Sequence, residues 1–140
     1  MSYQHILVAV AVSPESHLLV ARAVSIAQPV NGQITLITLA SEPELYNQFA
    51  APMLENLREL MFEETQIFID ELIEKANYPI AQTIIATGEL SEHILAICRQ
   101  GPMDLVICGN HNRTFINKIV CSAKAVVESS KVDVLLVPLS

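Results

Sequence analysis

The sequence predicts an α/β domain: an open, parallel, five-stranded sheet with helices on both faces. Three observations predict it. Apolar runs alternate with helical patterns from end to end, in the order βαβαβαβαβ. The first strand candidate, His5 to Val12, is a continuous apolar run, the pattern of a strand covered on both sides. The chain has 140 residues, enough for one domain with a sizeable core and no need of staples.

His5 to Val12 is the first strand, an unbroken apolar run after its histidine. Ser13-Pro14-Glu15 reads as a helix start, because serine can cap, proline suits the first helical position and glutamate suits the dipole. That helix extends to about Gln28, where Pro29 and Asn31-Gly32 end it. Gln33 to Leu39 is the second strand. Ala40 to Pro52 is a loop long enough to carry function or cover a site. A long amphipathic helix follows from about Met53 to Ala76, with Leu54, Leu57, Met61, Phe68 and Leu72 on its apolar face. Ile80 to Ala86 is the third strand, Thr87-Gly88 a turn and Glu89 to Arg99 the third helix, stopped by Gly101-Pro102. Met103 to Cys108 is the fourth strand, followed by Gly109 and a polar loop, Asn110 to Asn117. A fourth helix to about Ser130 and a fifth strand, Val132 to Val137, closed by Pro138, complete the chain.

Composition excludes several classes of function. A 51% apolar content with 16% charged residues is incompatible with general disorder. A net charge of −7 opposes broad binding to a phosphate backbone, so direct nucleic-acid binding is not expected. No stretch approaches the ~20 apolar residues of a membrane span, and Ile6 to Val12 lacks the flanks of a signal peptide. The three cysteines, Cys98, Cys108 and Cys121, fit neither a disulfide framework nor a CxxC site and read as buried structural thiols in a reducing cytoplasm. The charge is uneven. Glu42 to Glu74 holds nine acids against Arg58, whereas Arg113 to Lys131 holds four bases against Glu128.

Ligands of parallel sheets bind beyond the carboxyl ends of strands, where strand order reverses, so the loops after Val12 and Cys108 matter most. Backbone amides near Gly109 could hold an anion, but the chain has four glycines in all and neither GxxxxGK[ST] nor GxGxxG. The plainer reading of Gly109 is a sharp turn from strand to loop. Ala11-Val12-Ser13 and Ala86-Thr87-Gly88 lack the acids of a phosphoacceptor site. Ser13 is read as a helix cap rather than a nucleophile, since no GxSxG elbow surrounds it, and His111 as a solvated loop residue. His5, His17, His93 and His111 are scattered and form no metal-ligand pattern; Glu89, Glu92 and His93 decorate a helix start. No catalytic residue, metal or cofactor is expected.

Taken together, His5-Ile6-Leu7-Val8-Ala9-Val10, Gly88 with Ser91-Glu92-His93-Ile94, Asp104 through His111, and Val132-Asp133-Val134-Leu135-Leu136-Val137-Pro138 resemble the universal stress protein family over essentially the whole chain, residues 1–140. The resemblance is to its short, single-domain UspA-like branch. It implies a Rossmann-like sheet, of the adenine nucleotide alpha hydrolase-like kind, in order 3-2-1-4-5. It also implies a homodimer along the last strand, Val132 to Val137, which would cover an apolar edge.

The family has an ATP-binding branch and a branch that does not bind ATP. Binders have an aspartate after the first strand, where this chain has Ala11, two residues before Ser13. They also carry GxxG, nine residues, then G[ST]. Gly109 matches the first position, but Asn112, Ser122 and Ala123 stand at the others. The resemblance therefore implies a module that does not bind ATP, associated with endurance of stress, including DNA damage, and acting through protein partners rather than by catalysis. Ala40 to Pro52, the acidic helix and Asn110 to Lys118 are its exposed candidates. The rival expectation is an adenine-nucleotide sensor or weak hydrolase using the degenerate pocket, with Arg113 or Lys118 offsetting phosphate charge.

Overall fold

A computed structural model describes residues 3–40, 51–88, 90–101, 103–110 and 132–138. In chain order these form β1 (His5–Ala9), α1 (Ser16–Ala27), a 3-10 turn (Gln28–Val30), β2 (Gln33–Leu39), α2 (Ala51–Ala76), β3 (Gln82–Ala86), α3 (Leu90–Gln100), β4 (Leu105–Asn110) and β5 (Asp133–Pro138). All pairings are parallel, and the sheet order is β3-β2-β1-β4-β5, as the sequence resemblance implies. The expected fourth helix, Cys121 and most of the loop after Ala40 lie outside the described residues.

The apolar run of β1 is explained by its position. Ile6, Val8 and Val10 join a core with Leu19, Val20 and Ala23 of α1 and Ile69 and Leu72 of α2. Leu7 and Ala9 point the other way, into a core with Leu90 and Ile94 of α3 and Val106 and Cys108 of β4. Successive side chains of a strand alternate faces, so a strand covered on both faces must be apolar at every position. Two crossovers run outward from β1 through β2 to β3, and the third returns past them to β4. That reversal makes β1 and β4 neighbours: Val8 pairs with Ile107.

Several sequence boundaries shift. Regular pairing of β1 stops at Ala9 and not at Val12; Val10 N–H still reaches the Ile37 carbonyl at 2.9 Å, but Val12 is 51% exposed. Helix α2 begins at Ala51, so Ala51 and Pro52 are helical and not loop. β3 starts at Gln82, α3 runs from Leu90 to Gln100, and β5 runs from Asp133 to Pro138. Strands end where a neighbour ceases to offer hydrogen bonds, and an apolar run does not record that.

The amino ends of the strands are tied by contacts distant in sequence. The Asp104 carboxylate accepts from the N–H groups of Gln4 and His5, both at 3.0 Å, and Asp104 N–H donates to the His5 carbonyl at 2.8 Å. Gly32 sits where the Tyr78 hydroxyl donates to its carbonyl at 2.6 Å, and an added Cβ would lie 2.9 Å from the Tyr3 carbonyl oxygen. Asn31 adopts φ 54°, a left-handed cap, at the Asn31-Gly32 pair expected to end the helical segment.

Among the described residues, Thr38 Oγ1 is a buried side-chain polar atom without a hydrogen-bond partner, in a residue 1% exposed. Thr38→Val keeps the shape and removes the desolvated hydroxyl. It is expected to raise stability by about 1 kcal/mol, read as a higher urea midpoint at unchanged slope.

Candidate functional site: the carboxyl ends of β1 and β4

The switch in strand order makes β1 and β4 neighbours, so the chain leaving β1 toward Ala11 to Ser13 and the last residues of β4, Gly109 and Asn110, lie at the same end of the sheet. The β1–α1 connection is closed by its own hydrogen bonds. Ser16, 2% exposed, donates its hydroxyl to the Ala11 carbonyl at 2.6 Å and its N–H to the Ser13 carbonyl at 3.1 Å. Ser13 Oγ donates to the Glu15 carboxylate at 2.9 Å and accepts Glu15 N–H at 3.4 Å. His17 Nδ1–H donates to the Pro14 carbonyl.

These contacts correct the reading of Ser13 as a helix cap. The helix begins at Ser16, its cap position is Glu15, and no side chain caps it. Ser13 instead holds a turn before the helix, because its hydroxyl reaches the amide two residues on. Sequence reasoning missed Ser16. The only signal was a serine five residues after Ala11, and the bond depends on how the turn folds.

Gly109 is also corrected. It is buried within β4, opposite Val137, with Asn110 opposite Pro138, so it is not the turn after the strand. Asn112, Arg113, Lys118, Ser122, Ala123 and His111 lie outside the described residues. Ala11 is exposed and offers no carboxylate at this junction.

A cavity of about 310 Å³ opens beside the β1–α1 connection, between Val12, Ser13, Pro14 and His17 on one wall and Phe68, Glu71, Leu72 and Lys75 of α2 on the other. It lies on the helix flank, and no β4 residue lines it. His93 on α3 engages the Thr87 carbonyl through Nε2 at 2.7 Å, which fits a structural role at the Gly88 turn, where φ is 92°. Among the described residues, no group of His, Cys, Asp and Glu is placed to hold a metal ion. Nor is any described helix long and apolar enough to cross a membrane.

Cys98 is partly buried and Cys108 is buried, both as free thiols on the α3 side of the sheet. Burial, and then the neighbouring Cys98, push the Cys108 thiol up to about 12 from an ordinary 9.0. Such a thiol is a poor nucleophile at neutral pH. The unfolded chain ionises this group first, so the stabilisation is complete below about pH 9 and is lost as pH rises toward about 12, at about 1.4 kcal/mol per pH unit. Cys108→Ala is expected to flatten that alkaline decline in chemical-denaturation midpoints.

Comparison with known proteins fits this architecture. The model of the universal stress protein family matches residues 2–138. The chain is 68% identical to Universal stress protein C of Salmonella typhimurium over 140 residues, covering 100% of this chain and 99% of that one. It is 39% identical to Universal stress protein A of the same organism, covering 99% of this chain and 96% of that one. Among solved structures, a universal stress protein UspA from Lactobacillus plantarum superposes with a TM-score of 0.75 at 19% identity, covering 98% of this chain and 99% of that one. A full-length match in sequence, carried on a sheet in the order 3-2-1-4-5, makes this chain a member of the universal stress protein family, on its UspA-like side.

Proposed function

We propose that the protein is a cytoplasmic stress-endurance module of the kind that does not bind ATP. It serves regulation or protein interaction, including resistance to DNA damage, as a homodimer paired along β5, and it is not a catalyst. The observation that carries this reading is the junction of β1 and β4. An exposed alanine occupies the position where the family's ATP-binding branch has its aspartate, and the connection around it satisfies its own polar groups. Gly109 lies inside the ladder, and the sequence gives Asn112, Ser122 and Ala123 in place of the glycines and hydroxyl that let phosphate oxygens approach backbone amides.

The edge position of β5 supports the homodimer. Leu136 is 44% exposed there, and Val134 and Leu135 are half-buried. An apolar edge strand with open hydrogen-bonding groups is covered at least cost by its own copy. Native mass spectrometry of the purified protein tests both halves of the proposal. The expected result is a dimer with no retained nucleotide. A stoichiometric adenine nucleotide would move the protein to the sensor class, and a monomer at micromolar concentration would remove the β5 dimer.

A further inference from the structure

We infer that the outward face of α2 docks a basic, amphipathic helical segment of a protein partner; this rests on the interaction-module reading above and adds the partner's chemistry. Thr65, Ile69 and Leu72 anchor the helix, at 2%, 1% and 4% exposure. With 3.6 residues per turn, Leu60 and Ile67 fall on the opposite side of the helix, in one stripe two turns long. They are 57% and 59% exposed, although an ordinary solvated face would carry polar residues there. Around them stand Glu63, Glu64, Asp70 and Glu71, all exposed, and the two bases of the helix, Arg58 and Lys75, lie beyond the two ends of the stripe.

The combination defines the occupant. Two apolar side chains at i and i+7 match the anchors of a helix laid side by side. A predominantly acidic surround repels a second copy of the same stripe and attracts lysine or arginine beside the partner's apolar residues. The segment it fits has leucine-like residues at helical spacing and basic residues flanking them.

The test is a fluorescence-anisotropy titration of the full chain with three labelled peptides about five helical turns long. One carries leucines at i, i+3, i+4 and i+7 with lysines elsewhere; the second is its scrambled isomer; the third replaces lysine by glutamate. The amphipathic leucine–lysine peptide is expected to bind at least about tenfold tighter than the scrambled one. The glutamate peptide is expected to show no binding. L60S/I67S should reduce the first peptide to the level of the scrambled one with thermal stability unchanged. E63Q/E71Q should weaken binding and flatten its salt dependence.

Equal affinity for the first two peptides, or full binding by L60S/I67S, overturns the proposal. Self-association that L60S/I67S abolishes also overturns it, by giving the face to a second copy. Partners recovered from stressed cells equally by the natural chain and by L60S/I67S leave the interaction-module reading standing and remove this surface from it. Failure to recover any partner with either bait counts against that reading itself, while the peptide affinities still decide the chemistry of the face.

Discussion

The variant A11D/N112G/S122G/A123S is expected to bind magnesium-ATP in calorimetric titration, and the natural chain is expected to give no binding signal. Two of the four changes act by subtraction. Glycine at 112 and 122 removes a Cβ, the kind of change that lets a phosphate oxygen approach backbone amides closely, and serine at 123 supplies a hydroxyl donor. Aspartate at 11 restores a carboxylate able to accept hydrogen bonds from a nucleotide. Because Ala11 is exposed, the new charge is not buried and costs little stability. Recovery of at least about a hundredfold in affinity, about 2.7 kcal/mol, would trace the loss to these positions. A variant that folds normally and stays silent would show that the pocket differs elsewhere, and micromolar binding by the natural chain would end the proposal.

Leu7→Ala is expected to cost about 2–5 kcal/mol, a large share of the roughly 5–15 kcal/mol that holds a domain of this size folded. Leu7 is 0% exposed at the centre of the sheet, paired with Thr35 on one side and Val106 on the other. Its side chain fills the core beneath α3, and β1 is held by strands on both edges, so the backbone has little freedom to close the void. Differential scanning calorimetry should show the midpoint falling by roughly 10 °C for a loss of about 3 kcal/mol. A fall of only a degree or two would mean that the core under α3 can collapse and is not close-packed.

Strand and helix identity was legible because it is written in local patterns. The start of β1 at His5, the bounds of β2 and the Asn31-Gly32 stop follow from periodicity and turn chemistry alone. The candidate site was legible only in part. Ala11, Asn112, Ser122 and Ala123 could be singled out by comparison with a family pattern, but Gly109 was placed wrongly. Whether a glycine ends a strand or continues it depends on the neighbouring strand, here β5 with Val137 opposite. The role of Ser13 was misjudged for a similar reason. A serine before a proline suits a cap and a turn equally, and the bond from Ser16 to the Ala11 carbonyl settles the turn.

By itself, the sequence determined that this is one acidic α/β chain of alternating strands and helices, whose first strand is an unbroken apolar run. It also determined that the acids gather between Glu42 and Glu74 and that Asn112 and Ser122 replace two of the three phosphate-loop glycines. These are properties of residues and their spacing, and no fold can alter them. Only the tertiary structure decided which groups meet: Asp104 with the amides of Gln4 and His5, Thr38 without a partner, and Leu60 and Ile67 turned away from the core that takes Thr65 and Ile69. A helical pattern rich in leucine, isoleucine and phenylalanine offers more than one apolar stripe. The sheet buries only one of them, because a helix touches a flat surface along a single line of contact.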